Sequence, residues 1–346
     1  MMEKMMEKWL KSMDWKKMAA VLLLLVAVIA PSILPEAFVY LLGLTLLFLI
    51  LVISWDVIVG YTGQVNLGHT VFVGLGAYTA ALLQVPSRFS GAIDFLATIP
   101  SPPPAVSILA GGIVAAIFGL IIGVITLRLR GYYFALVTAI LPLVFMQTVF
   151  VFSDIFGGEE GFSIGLERSL AASTTLRYYY ALVILVISFV IIRLIINSEI
   201  GLRFRAVRDD EELAEAVGID VVRYKVLSFV ISSFFAGIGG AAIVHYRITV
   251  SPDLYGIPLM LLIILAAVIG GLGTLYGPLF GGLIIYLLKN WWLKGVVMTF
   301  PGWLPINDEV ILYLILIAIA VLAPEGLWDK IKEMLEHATA GSSESS

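Results

Sequence analysis

The feature that most constrains this chain is a succession of apolar runs, each about as long as a lipid bilayer is thick. A helix of about 20 apolar residues crosses roughly 30 Å of hydrocarbon. Lipid offers no partner to open backbone groups, so such runs must be helical. Ten spans are predicted, at 18–34, 36–54, 57–84, 105–127, 132–152, 178–196, 226–245, 257–271, 275–290 and 309–323. An even number places both ends on one side. The fold class expected is an all-α, polytopic transmembrane helical bundle. Composition agrees: 60% of the 346 residues are hydrophobic and 13% are charged, against about a quarter charged in soluble domains. Mean hydropathy is +1.03.

Lys and Arg choose the side. With both termini cytoplasmic, fifteen of the twenty-one basic residues fall on inside segments, among them Lys16, Arg128, Arg130, Arg193, Arg203, Arg208 and Lys225. The other six, including Arg88, Arg168, Arg177 and Arg247, fall outside, as the positive-inside rule requires. Aromatic residues at predicted boundaries (Trp55, Tyr132, Tyr133, Tyr178 to Tyr180, Trp291, Trp292, Trp303, Trp328) are expected to form an interfacial belt. The expected organisation is a cytoplasmic segment at 1–17, a membrane domain at 18–330 with a cytoplasmic loop at 197–225, and a disordered tail at 331–346. The charged start followed by an apolar run resembles a signal peptide, but Pro31 and Pro35 replace a cleavage site, so a retained first helix is expected. The uncharged connector at 270–278 reads as a short turn or a re-entrant element. Its Gly271–Leu275 resembles Gly74–Ala77-Tyr78, as an inverted repeat or chance would give.

The third span, at 28 residues, is too long for a straight crossing and contains Gly60-Tyr61-Thr62-Gly63-Gln64-Val65-Asn66-Leu67-Gly68-His69-Thr70. Thr62, Gln64, Asn66 and His69 place polar groups at membrane depth, where each needs a partner. Two readings stand: a broken helix lining a solute pathway, or tight packing with Gln64 and Asn66 bonding across helices. In the loop at 197–225, Asp209 or Asp210 can cap a helix that Gly218 would stop, with Glu211 and Glu212 at its positive end. Leu213, Ala216 and Val217 then share one face of about two and a half turns. The outer segment Phe156–Phe162, rich in Gly and Glu, suits a docking element for a delivering protein, a part of the outer gate, or a flexible turn.

The chain has no Cys and three His, no P-loop, no His-Glu-x-x-His and no Gly-x-Ser-x-Gly. No catalytic residue, metal or cofactor is expected, and no basic stripe suggests nucleic acid. Few charges lie within spans, Asp56 being the main one, which weighs against an ion-coupled carrier.

The run Trp55–His69 resembles the signature of permeases of branched-chain amino-acid ABC importers, specifically the M-type partner. So do Leu127–Ala135, the loop Arg205–Tyr224, Gly270–Thr274 with Gly277-Pro278, and Ala323–Trp328. The resemblance covers about 40–330 and is shared with urea and short-chain amide permeases. It implies a second related permease, two cytoplasmic ABC ATPases, an extracytoplasmic solute-binding protein, and a place in the prokaryotic plasma membrane. It also implies that Arg208, Asp209, Asp210, Glu211, Glu212, Leu213, Glu215, Ala216 and Gly218 form the coupling helix that sits in an ATPase cleft. Residues 139–146 depart from the family pattern by lacking an acidic–basic pair, so substrate choice there is expected to differ.

Overall fold

The computed structural model of the chain describes residues 26–127 and 132–293, with isolated positions at 295, 310, 311, 314, 317 and 318. The start of the first span, most of the tenth, Arg128, Arg130, Trp303, Trp328 and both terminal segments lie outside the described residues. The described chain is all-helical apart from one short ribbon. Its main helices are α1 (Glu36–Thr62), α2 (His69–Gln84), α3 (Pro104–Thr126), α4 (Tyr132–Val151), α5 (Thr174–Ile196), α6 (Glu199–Asp209), α7 (Glu211–Ala216), α8 (Val221–Arg247), α9 (Ile257–Gly270) and α10 (Tyr276–Leu287). Among the described residues, α1, α3, α4, α5, α8 and the stretch Pro252–Gly270 are long and apolar enough to cross a membrane.

Two of these are central. In the most apolar stretch of α1 and of α8, 67% of residues are buried, against 22% in α4. Helix α8 packs against α3, α2 and α1, while the α9–α10 hairpin packs on α1. Small residues let α2, α3 and α8 approach backbone to backbone: a Cβ on Gly76 would collide with the Gly237 main chain. Close packing of this kind replaces the hydrophobic drive that lipid cannot supply. The outer faces of α3, α4 and α5 present Ile117, Ile121, Leu136, Ile140, Val183 and Ile187, all exposed.

The boundary expected between the second and third spans, at 54–57, falls inside the continuous α1. Trp55 and Asp56 do not interrupt it: the Trp55 N–H and one oxygen of Asp56 find partners within the bundle, while Asp56 Oδ2 has none among the described residues. Trp55 Nε1 donates to the Asn66 carbonyl at 2.7 Å, and Gly273 N–H donates to Asp56 Oδ1 at 2.8 Å. The helix stops instead at Gly63, whose φ of 70° is left-handed, and a bend at 63–68 precedes α2. Trp55 and Tyr178 are buried rather than interfacial, whereas Tyr132, Tyr133, Trp291 and Trp292 are exposed as expected of a belt.

Residues 271–275 form a tight turn between α9 and α10. Gly74–Tyr78 lies inside α2, so the two glycine pentapeptides occupy different conformations and do not form an equivalent pair. Pro142 sits inside α4 without interrupting it.

One end of the bundle, the basal end, gathers the 63–68 bend, α6, α7 and the 271–275 turn. The opposite, distal end gathers 85–103, 152–173 and 248–256. There Arg88 donates to the Asp154 and Ile155 carbonyls. Strands β1 (Phe162–Ser163) and β2 (Thr249–Val250) pair antiparallel, with Phe162 opposite Val250. The Gly-rich outer segment is therefore an ordered turn held against β2, a pairing that no local pattern announced.

Candidate functional site

The four polar residues singled out in the sequence all lie at or beside the basal bend. Each reaches a different neighbour. Thr62 Oγ1 donates to the Ile58 carbonyl at 2.6 Å and meets Ser228 Oγ of α8 at 3.1 Å. Asn66 Oδ1 accepts from Gly68 N–H at 2.9 Å, closing the turn into α2. His69 is fully buried, with Nε2 3.0 Å from Ser54 Oγ and Nδ1 3.5 Å from Ser232 Oγ. Ser54 gives its only proton to the Leu51 carbonyl, so His69 donates from Nε2. Gln64 Nε2 donates to the Thr62 carbonyl at 3.3 Å and to Glu211 Oε1 at 3.0 Å. Leu67 N–H donates to Thr138 Oγ1 at 3.1 Å, tying the bend to α4.

Of the two residues that the packing reading names, Gln64 bonds across to Glu211 while Asn66 bonds within the bend; Thr62 and His69 make the other contacts between helices. The pathway reading keeps two atoms. Asn66 Nδ2 and Thr70 Oγ1 are buried and have no hydrogen-bond partner among the described residues. Buried polar groups are nearly always paired, so these two are exceptions, as are Asp56 Oδ2, Tyr78 Oη, His245 Nε2 and Tyr255 Oη elsewhere in the described chain. Sequence reasoning passed over Thr70. It also passed over Ser228 and Ser232, although their spacing puts both on one face of α8.

The second site is the segment below the bend. A single helix capped by Asp209 or Asp210 and stopped by Gly218 was expected, with the family resemblance taking the segment back to Arg208. The structure divides it: Arg208 and Asp209 end α6, and α7 begins at Glu211. The division falls at Asp210, which is extended (φ −161°) and caps α7 by accepting from Leu213 N–H at 2.9 Å. Asp209, the alternative cap, is the last residue of α6. Gly218, with φ of +87°, ends the segment as expected. Asp220 then caps α8 through Arg223 N–H at 3.0 Å. Helix α7 is thus a short ridge between two aspartate caps. Ala214 packs inward, while Leu213 and Val217 are 63% and 69% exposed.

Arg208 does not join that ridge. Its Nη1 donates to the Gly60 carbonyl at 2.5 Å, beside the Asp56–Gly273 hydrogen bond. Gly60 and Gly273 are required here by close approach. A Cβ on Gly60 would meet the Asp56 carboxyl and Gly273 N, and one on Gly273 would meet Arg208 and the Gly60 carbonyl. The cluster joins α1, α6 and the α9–α10 turn.

A bundle whose described residues include six helical stretches long and apolar enough to cross a membrane has the architecture of a multi-spanning helical membrane protein. The model of the family described as branched-chain amino acid transport system permease component matches residues 37–320, and the chain belongs to that family. It is 27% identical over 302 residues to the high-affinity branched-chain amino acid transport system permease protein LivM of Escherichia coli (strain K12), covering 80% of this chain and 68% of that one. It is also 27% identical over 250 residues to the probable branched-chain amino acid transport permease protein LivH of Methanocaldococcus jannaschii, covering 71% and 74%. The fructose import permease protein FrcC of Rhizobium meliloti is 24% identical over 253 residues, covering 68% of each chain. No solved structure matches the chain. As a transport permease it is not itself an enzyme.

Proposed function

We propose that this chain is the M-type subunit of a two-permease ABC importer that carries branched-chain or related amino acids across the prokaryotic plasma membrane. Two separate cytoplasmic ATPases drive it, and an extracytoplasmic solute-binding protein delivers the solute to the distal end. The relatives named LivM and LivH support the pairing of two permeases and the solute class. The fructose relative makes the solute the part most in need of measurement. Ten crossings, cytoplasmic termini and a membrane domain at 18–330 between a 1–17 segment and a 331–346 tail complete the reading. Arg203, Arg205, Arg223 and Lys225 at the basal end support its cytoplasmic placement.

The observation that carries the proposal is the exposed pair Leu213, on α7, and Val217, just after it, an apolar ridge with nothing in the described chain to cover it. We assign α7, with its caps Asp210 and Gly218, as the helix that docks in an ATPase cleft. Solute would pass by Asn66 and Thr70 as the helices around the bend alternate between two packings.

The test is reconstituted uptake of leucine, urea, a short-chain amide and fructose. Leucine uptake that requires ATP, both permeases and both ATPases is expected; ATP-independent uptake by this chain alone would overturn the reading. Thr70→Val separates pathway from packing. Its hydroxyl has no partner among the described residues, so the variant should be no less stable than wild type, or more stable by about 1 kcal/mol. Uptake should fall at least about fivefold if that hydroxyl serves the solute. Unchanged uptake would return the bend to a packing role.

A further inference from the structure

We infer that Glu211 and Lys225 form the joint through which movement of α7 reaches the 63–68 bend. The inference rests on the docking role proposed above for α7. Lys225 stands near the start of α8, and its side chain is only 4% exposed. Its Nζ lies 2.5 Å from Glu211 Oε1. The same oxygen accepts from Gln64 Nε2 at 3.0 Å. One carboxylate oxygen at the first position of α7 thus holds the base of α8 and the bend together. The described residues give Lys225 no other acidic partner within ion-pair distance.

Burial makes this arrangement directional. An ammonium group out of water is tolerated only beside an anion, whereas Glu211, 37% exposed, can be rehydrated alone. A displacement of α7 that left α8 behind would strand Lys225. A displacement that carries the base of α8 and Gln64 with it keeps all three groups paired, and is therefore the favoured motion. Arg208 adds a second strap by donating to the Gly60 carbonyl just before the bend. The end of α1, the bend, α6, α7 and the start of α8 then move as one piece. Glu211 and Lys225 act through Gln64 and the bend, so they are positioning residues with no solute contact required.

The test is made on the complete complex in proteoliposomes with the solute-binding protein, measuring uptake and ATP hydrolysis together. Lys225→Met removes the buried charge at similar length. The variant complex should retain its ATPase subunits and hydrolyse ATP, while solute moved per ATP falls at least about tenfold. The exchange Lys225→Glu with Glu211→Lys should restore the ratio to within about threefold. A Lys225→Met complex with the wild-type ratio, or an exchange no better than the single variant, would overturn the joint.

A second measurement covers the case in which Lys225→Met fails to accumulate. The chain has no Cys, and Thr62 Oγ1 at the end of α1 lies 3.1 Å from Ser228 Oγ near the start of α8, so cysteines at the two positions bring their sulfurs within reach of one another. In the double variant Thr62→Cys, Ser228→Cys, the reduced complex should transport, and the oxidised complex should transport equally if the two segments move together. A block that reductant relieves would show that they must separate. Failure of the docking role has its own signature, since ATPase retention would then survive acidic substitution of Leu213 and Val217.

Discussion

Replacing Leu213 and Val217 together by Glu is expected to abolish ATP-driven uptake while leaving the protein in the membrane at its normal level. Both side chains are already largely solvated, so the folded chain loses little by the exchange. Position 213 lies in the first turn of α7, where acidic groups are favoured, and position 217 follows the last helical residue. The cost falls on docking. Burying a Leu or Val contributes about 1.5–3 kcal/mol, and placing carboxylates in the same apolar cleft adds desolvation. A loss of roughly 4 kcal/mol weakens docking about a thousandfold. Retention of the ATPase subunits through purification checks this directly. Full retention would mean that α7 is an ordinary solvated ridge.

Gly60→Val should have the largest effect on the fold itself. Its first side-chain carbon would occupy the space of the Asp56 carboxyl and Gly273 N. Overpacking costs about 1–3 kcal/mol. Displacing Gly273 N–H from Asp56 leaves a buried carboxyl without its donor, a further loss of about 1–3 kcal/mol. Their sum is a large fraction of the stability of about 5–15 kcal/mol typical of a folded protein. A monodisperse, detergent-solubilised peak should be lost for this variant. Gly295→Ala, where nothing lies within 4 Å, should behave as wild type. A Gly60→Val protein that melts normally would show that the α1–turn contact is loose.

Much of this architecture was legible from residue order. Long apolar runs give helices because lipid allows little else, and the polar cluster from Thr62 to His69 marks the bend because such groups need partners. What stayed hidden depends on distant partners. Trp55-Asp56 looked like a boundary, yet α1 passes through it because Asp56 meets a main-chain N–H 217 residues away. Lys225 looked like one more inside charge. Its burial is set by Glu211 and by packing at the base of α8, which no local window contains. The division between α6 and α7 was ambiguous for a local reason. Asp209 and Asp210 are equally able to cap, and only the seating of Arg208 on Gly60 decides which one does.

The lengths of the two central helices carry a consequence for where the bend sits. Helices α1 and α8 each have 27 residues, about 40 Å at 1.5 Å per residue. That exceeds an average hydrocarbon slab by roughly 10 Å. Unless strongly tilted, both rods overshoot, and their basal ends emerge among the lipid headgroups. The seam of Thr62, Gln64 and Lys225 then lies at a wet margin rather than at the midplane. Thickening the bilayer would draw that seam back into oil, so the choice of acyl-chain length becomes a handle on the working cycle.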